Sequence, residues 1–274
     1  MRMTSPLPMT SLLMLLLTSF LAIGDLKAQS YKHLKALLIV GEQQDGTKSS
    51  MERMDDIATL FQSYGIAVYK FYDEDAEWTE ITRVAPECSF LVYDGHGSTM
   101  GDGGKAGGLC INSMVSAQDI RQNLKLRNNA LVLFQSVCYG AGSSAGDDDD
   151  IGLQEAKNRV SEYADSFFDV GARGYYANNY TSGIYHFLND FLGGENLKQA
   201  YLNSTNTWTD IEFQASCEKL TNSYFSIASS PDRGGVVTRT RYSNGVKSVE
   251  QIPDHKDYDI ACVGLPDLDI KDFK

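Results

Sequence analysis

From residue 35 onward, short apolar runs alternate with stretches of helical periodicity, the pattern of a sheet with helices packed on its faces. The run ALLIV at 36–40 predicts a buried strand closed by Gly41. Met51, Met54, Ile57, Ala58 and Phe61 then recur at helical spacing, and residues 67–72 predict a second strand. FLVY at 90–93 and ALVLF at 130–134 predict a third and a fourth strand, each running straight into polar residues. Ser116 with Asp119 three residues on has the form of a capping box opening a helix through Leu124.

Leu153, Ala156, Val160, Tyr163, Ala164 and Phe167 mark one apolar face of a helix. A fifth strand at 174–177 and helices around 184–191 and 197–202 follow. After residue 224 the texture changes to two alternating runs, 236–242 and 246–252, around Asn244-Gly245, the signature of a β-hairpin. The pattern predicts an α/β fold with a mostly parallel sheet, helices on its faces and a C-terminal β-hairpin extension. Residues 29–223 are the main domain and residues 224–274 a β-rich extension of it.

Arg2, an apolar run at 12–23 and Ala28 before Gln29 read as a signal peptide over 1–28. That run is shorter than the roughly 20 residues needed to span a bilayer. The expectation is an exported chain, secreted or periplasmic, with no stable membrane anchor after cleavage near Gln29.

The 274 residues are 42% hydrophobic and 22% charged, in the range of globular proteins. A net charge of -12 repels a phosphate backbone and argues against a nucleic-acid partner. Five Cys (88, 110, 138, 217, 262) form no CxxC pair, and with four scattered His they predict no metal site. In an oxidising compartment an odd Cys count leaves at least one thiol free unless chains pair.

In an open α/β sheet, residues just beyond the carboxyl ends of the strands line the ligand crevice. His96 and Cys138 both hold such positions, after the third and fourth strands. An imidazolium beside a thiol lowers its pKa and makes a nucleophile. Glycines on either side allow close backbone approach, and the amides of Gly97 and Cys138 suit a developing oxyanion. A Cys at a strand end is more often a small buried hydrophobe, but the loop chemistry around both residues weighs toward function.

The segments FLVYDGHGS and LVLFQSVCYGAGSS resemble the caspase-like cysteine peptidase superfamily, which includes caspases, metacaspases, legumains, clostripains and gingipains. DVGARGYYANNYTSGIYHFLNDFLGGENLKQAYLNS is also similar to bacterial members, so the resemblance covers roughly 35–208. It implies a caspase-like three-layer α/β/α sandwich, His96 and Cys138 as catalytic residues, Gly97 in the oxyanion hole and a peptide or protein substrate, with no cofactor. Where caspases carry Gln and metacaspases Asp two residues before the Cys, this chain has Ser136, with Gln135 one further back.

Asp94, Asp102 and the run 147–150 surround the inferred cleft, against Arg173 as the basic residue placed near a sheet end. A desolvated carboxylate suits a basic side chain, so Asp94 and Ser136 are the expected substrate-binding residues and cleavage after Arg or Lys the expected preference. The 147–150 run reads first as a solvated acidic loop, with a calcium site or an activation loop as the sharper alternatives. Two other functions stay open. An α/β-hydrolase reading takes residues 136–140 as a nucleophile elbow lacking its first Gly, with His186 or His255 as base. A binding module that has lost catalysis is the other.

Overall fold

The computed structural model of the chain describes residues 31–273 except 102, 206–208, 232, 233, 244 and 245. The predicted leader at 1–28, the hairpin turn Asn244-Gly245, and Asp102 lie outside the described residues.

The elements follow the pattern of the sequence closely. Strand β1 (Lys35–Val40), helix α1 (Thr47–Ser63) and strand β2 (Ala67–Tyr72) make the first βαβ unit. Helix α2 (Trp78–Val84) leads to β3 (Phe90–Asp94). The short strands β4 (His96–Gly97), β5 (Leu109–Cys110) and β6 (Met114–Val115) form a small antiparallel ribbon past its end. Helix α3 (Ala117–Asn123) opens on the capping box: Ser116 Oγ accepts from the Asp119 N–H and the Asp119 carboxylate accepts from the Ser116 N–H, both at 3.0 Å. Then come β7 (Ala130–Gln135), α4 (Gly152–Phe168), β8 (Ala172–Asn178), α5 (Gly183–Gly193) and α6 (Leu197–Ser204). The C-terminal part holds β9 (Asp210–Ala215), β10 (Tyr224–Ser230), β11 (Val236–Ser243), β12 (Val246–Pro253) and β13 (Asp257–Gly264).

Eight strands form the central sheet in the order β2-β1-β3-β7-β8-β13-β10-β9. The first five run parallel to one another, and β13, β10 and β9 follow, each antiparallel to the strand before it. Consecutive residues of a strand point to opposite faces, and here both faces are covered. Leu37, Ile39, Leu91, Val132 and Phe134 pack with Ile81, Ile120, Val160 and Phe167 of α2, α3 and α4. Leu38, Val40, Val92, Leu131 and Leu133 pack with Met54, Phe61, Phe187 and Tyr201 of α1, α5 and α6. The layers are therefore helix, sheet, helix, which is why the central strands read as unbroken apolar runs.

The C-terminal extension is less separate than its changed texture suggests. Strands β10 and β13 belong to the central sheet, and only β11 and β12, paired with each other in register from Val236↔Pro253 to Ser243↔Val246, stand apart as a hairpin. Among the described residues no helix is long and apolar enough to cross a membrane.

Candidate functional site

Strands β3 and β7 are parallel neighbours with Asp94 opposite Gln135, so the residues that follow both emerge on one edge of the sheet. There the loop carrying His96 touches the loop carrying Cys138. A Cβ built on Gly97 would lie 2.0 Å from the Cys138 carbonyl oxygen and 2.8 Å from Tyr163 Oη, so only glycine allows this approach. His96 and Cys138 are both half-buried.

The backbone around Cys138 is unusual. Ser136 (φ 53°) and Tyr139 (φ 68°) both take left-handed conformations, which cost a non-glycine residue of order 1–3 kcal/mol each and cluster at functional sites. Their effect is to turn the chain sharply out of β7, leaving Ser136 exposed and Cys138 facing a cavity of about 440 Å³. Gln135 holds the base of this turn: its amide donates to the carbonyls of Asn178 (3.2 Å) and Tyr180 (2.9 Å), and it is buried.

Three fully buried tyrosines brace the loops from below, with their rings against Phe134 at centroid distances of 5.2–5.6 Å. Tyr93 Oη donates toward the carbonyls of His96 (2.8 Å) and Cys110 (2.9 Å) and accepts from the Cys110 N–H (3.1 Å). Tyr163 Oη accepts from the Ser98 N–H (3.0 Å) and donates to the Gly108 carbonyl (3.1 Å). Tyr175 Oη donates to the Gly140 carbonyl at 2.8 Å. Burial pushes all three hydroxyls far above their ordinary pKa, so they remain proton donors. The sequence carried a signal for this, a Tyr inside an otherwise apolar strand, since a buried Tyr needs a partner for its hydroxyl.

All five cysteines are free. Burial pushes the Cys88 thiol up to about 12 and raises Cys262, Cys217 and Cys110 as well, which disfavours their thiolates. Cys110 stands directly opposite His96 across the β4–β5 pair, so the two side chains share a face of that ribbon. It is a neighbour of the site that spacing alone did not reveal.

Asp94 serves the fold and not the cleft. Its fully buried carboxylate accepts from Gln43 Nε2 (2.8 Å) and from Arg53 Nη2 (2.9 Å) and Nε (3.2 Å), which corrects the expectation that it receives a substrate side chain. Arg173 stands near the start of β8, where the sequence puts it, and this is the opposite end of the sheet from Cys138; its Nη1 donates to the carbonyls of Phe168 and Ala172. In the acidic run, Asp147 is not solvated, because Arg159 grips its carboxylate at 2.8 and 3.0 Å, while 148–150 are exposed as expected.

The cavity at Cys138 has a different set of carboxylates. With Ser136 and Asn179 its walls include Asp254, Asp257 and Asp259, and Arg239 from β11. Asp259 accepts from Ser230 Oγ (2.8 Å), Asn179 Nδ2 (3.2 Å) and Tyr180 Oη (3.3 Å). The Asp257 carboxyl is raised above its ordinary range, first by burial and then by Asp259. Two crowded, half-desolvated carboxylates favour a cation between them.

Compared with models of known protein families and with curated proteins, the sequence finds no match in either. The site's chemistry therefore rests on its own geometry: a thiol on a strained turn, an imidazole on the touching loop, and an acidic cavity beside them.

Proposed function

We propose that the protein is a cysteine endopeptidase that cleaves after Arg or Lys. The observation that carries the reading is the close packing of Gly97 on the Cys138 carbonyl, which joins the His96 and Cys138 loops at one edge of adjacent parallel strands. In the proposed cycle the Cys138 thiolate attacks the scissile carbonyl while the amides of Gly97 and Cys138 stabilise the oxyanion. His96 gives its proton to the leaving amine as the C–N bond breaks. Water then attacks the thioester, His96 takes the water's proton, and the carboxylic acid product leaves. The preference for a basic side chain is supported by Asp257 and Asp259 in the cavity that Cys138 faces. The reading agrees with the caspase-like resemblance of FLVYDGHGS and LVLFQSVCYGAGSS, and includes export of the chain after removal of residues 1–28.

Cys138→Ala and His96→Ala should each abolish turnover of Arg- and Lys-containing fluorogenic peptides while leaving thermal unfolding unchanged. Alkylation of the native chain with peptide mapping should label Cys138 first. Dominant labelling of Cys110 would overturn the assignment. His255→Ala tests the α/β-hydrolase reading, because His255 Nε2 lies 3.6 Å from Asp257 Oδ1 near the same cavity. Its Nε2 also faces Arg239 Nη2 at 3.4 Å and its Nδ1 faces the Pro253 carbonyl at 3.4 Å, so both ring nitrogens already have partners. His186 is exposed on α5 against Tyr185.

A further inference from the structure

The β11–β12 hairpin leaves the sheet and returns to it beside the candidate site. It departs after Ser230 and rejoins at Asp257, two residues paired across β10 and β13. The Asn179 N–H, just beyond the end of β8, donates to the Asp259 carbonyl at 2.9 Å, so this is the edge from which Cys138 also emerges. Toward the hairpin's far end, Lys247 Nζ lies 2.9 Å from Asp45 Oδ2, in the turn that follows β1. From β13 to β1 is four strand steps, about 19 Å at the usual spacing, and a strand of eight residues is about 27 Å long. The hairpin thus reaches across the ends of β8, β7 and β3, over the loops that carry Cys138 and His96.

Its hold is light. Among the described residues the two strands form a separate two-stranded sheet, and Val236, Val237, Val246 and Val249 are exposed. A two-stranded hairpin of this kind has little stability of its own, and the Lys247–Asp45 pair is solvent-exposed and correspondingly weak. Yet the hairpin places one side chain deliberately. Arg239 lies in the cavity with Asp254, Asp257 and Asp259, and its Nη1 is buried with no hydrogen-bond partner. A guanidinium left short of an acceptor is a poorly satisfied occupant, one that a better-fitted arginine can displace.

We propose that the hairpin is an intramolecular pseudosubstrate, which seats Arg239 in the acidic cavity beside Cys138 and holds the chain in a low-activity state until it lifts. This rests on the Arg/Lys-directed reading above. The occupant is the chain's own cation in the place of the substrate's.

The test uses the full chain, a fluorogenic Arg-amide peptide, and the variants Arg239→Ala, Arg239→Lys and Lys247→Ala, each checked for unaltered thermal unfolding. If the plug is seated in about nine molecules of ten, Arg239→Ala raises kcat/KM about tenfold through KM, with kcat unchanged. Arg239→Lys stays near the parent, and Lys247→Ala gains part of the effect. Equal or lower kcat/KM in Arg239→Ala overturns the proposal. So does cleavage after Asp that is lost in Arg239→Ala, which makes Arg239 the specificity group instead. If no variant cleaves any Arg or Lys peptide, the peptidase reading fails by itself, and the plug is read from alkylation of Cys138 by iodoacetamide. Faster labelling in Arg239→Ala and Lys247→Ala than in the parent supports a strap over the thiol, and equal rates exclude it.

Discussion

Gly97→Ala isolates the contact on which the candidate site depends. The added methyl would sit 2.0 Å from the Cys138 carbonyl oxygen, 3.0 Å from its carbon and 2.8 Å from Tyr163 Oη. Two of these three atoms are backbone, so no side-chain rotation relieves the clash. An ordinary contact begins at 3.4 Å, so the two loops must separate by more than an ångström along that line. Displacements of about 1 Å between reacting groups cost on the order of 10²-fold in rate, and local overpacking costs about 1–3 kcal/mol of stability. The expected result is a fall of about 10²-fold in kcat/KM, carried by kcat, with a folded protein that melts a few degrees lower. Gly193→Ala is the control, because a Cβ there meets nothing within 4 Å. Steady-state kinetics with calorimetry on both variants would decide the matter. Activity in Gly97→Ala within threefold of the parent would mean that the Gly97–Cys138 approach does not position the chemistry.

Three further outcomes follow from named contacts. Tyr93→Phe removes the hydroxyl shared by the part-buried carbonyls of His96 and Cys110 and by the Cys110 N–H, which should cost about 1–3 kcal/mol in denaturant unfolding, with kcat reduced more than KM. Asp94→Asn leaves Arg53 facing a neutral partner; because the Arg53 side chain is 24% exposed, the cost should fall below the 3–5 kcal/mol of a fully buried pair, at about 2–3 kcal/mol. A positional peptide library should show the same preference before and after that change, since the carboxylate is not in the cleft. Asp257 should give a pH signature. Its folded pKa lies above the ordinary 3.8, from burial and Asp259 against the opposing influence of His255, Ser143 and Arg239. Its contribution to stability is therefore full below the unfolded value and is lost as pH rises through the folded one. By the same sign, KM for Arg peptides should rise on acidification at a pH above the usual carboxylate range. Asp257→Asn should raise KM at neutral pH and flatten that limb, and an unchanged acid limb in this variant would remove Asp257 from the binding site.

The parallel half of the fold was legible in the residues, because its signals are local. A buried parallel strand must be apolar throughout, a helix on its face must repeat every three to four residues, and the Ser116 box satisfies its own backbone. The positions of His96 and Cys138 just past the ends of neighbouring strands were legible for the same reason, each following closely on an apolar run. The partners of a side chain are not local. Nothing at Asp94 itself says that its carboxylate will be met by Arg53 on α1. The Asp257 and Asp259 walls depended on β13 entering antiparallel beside β8, a pairing of Ile260 with Asn178 across a long separation in sequence. Chain order put His96 and Cys138 past the ends of adjacent strands. Long-range strand pairing alone decided which charges stand beside them, because the cost of burying a carboxylate is set by what the rest of the chain brings to it.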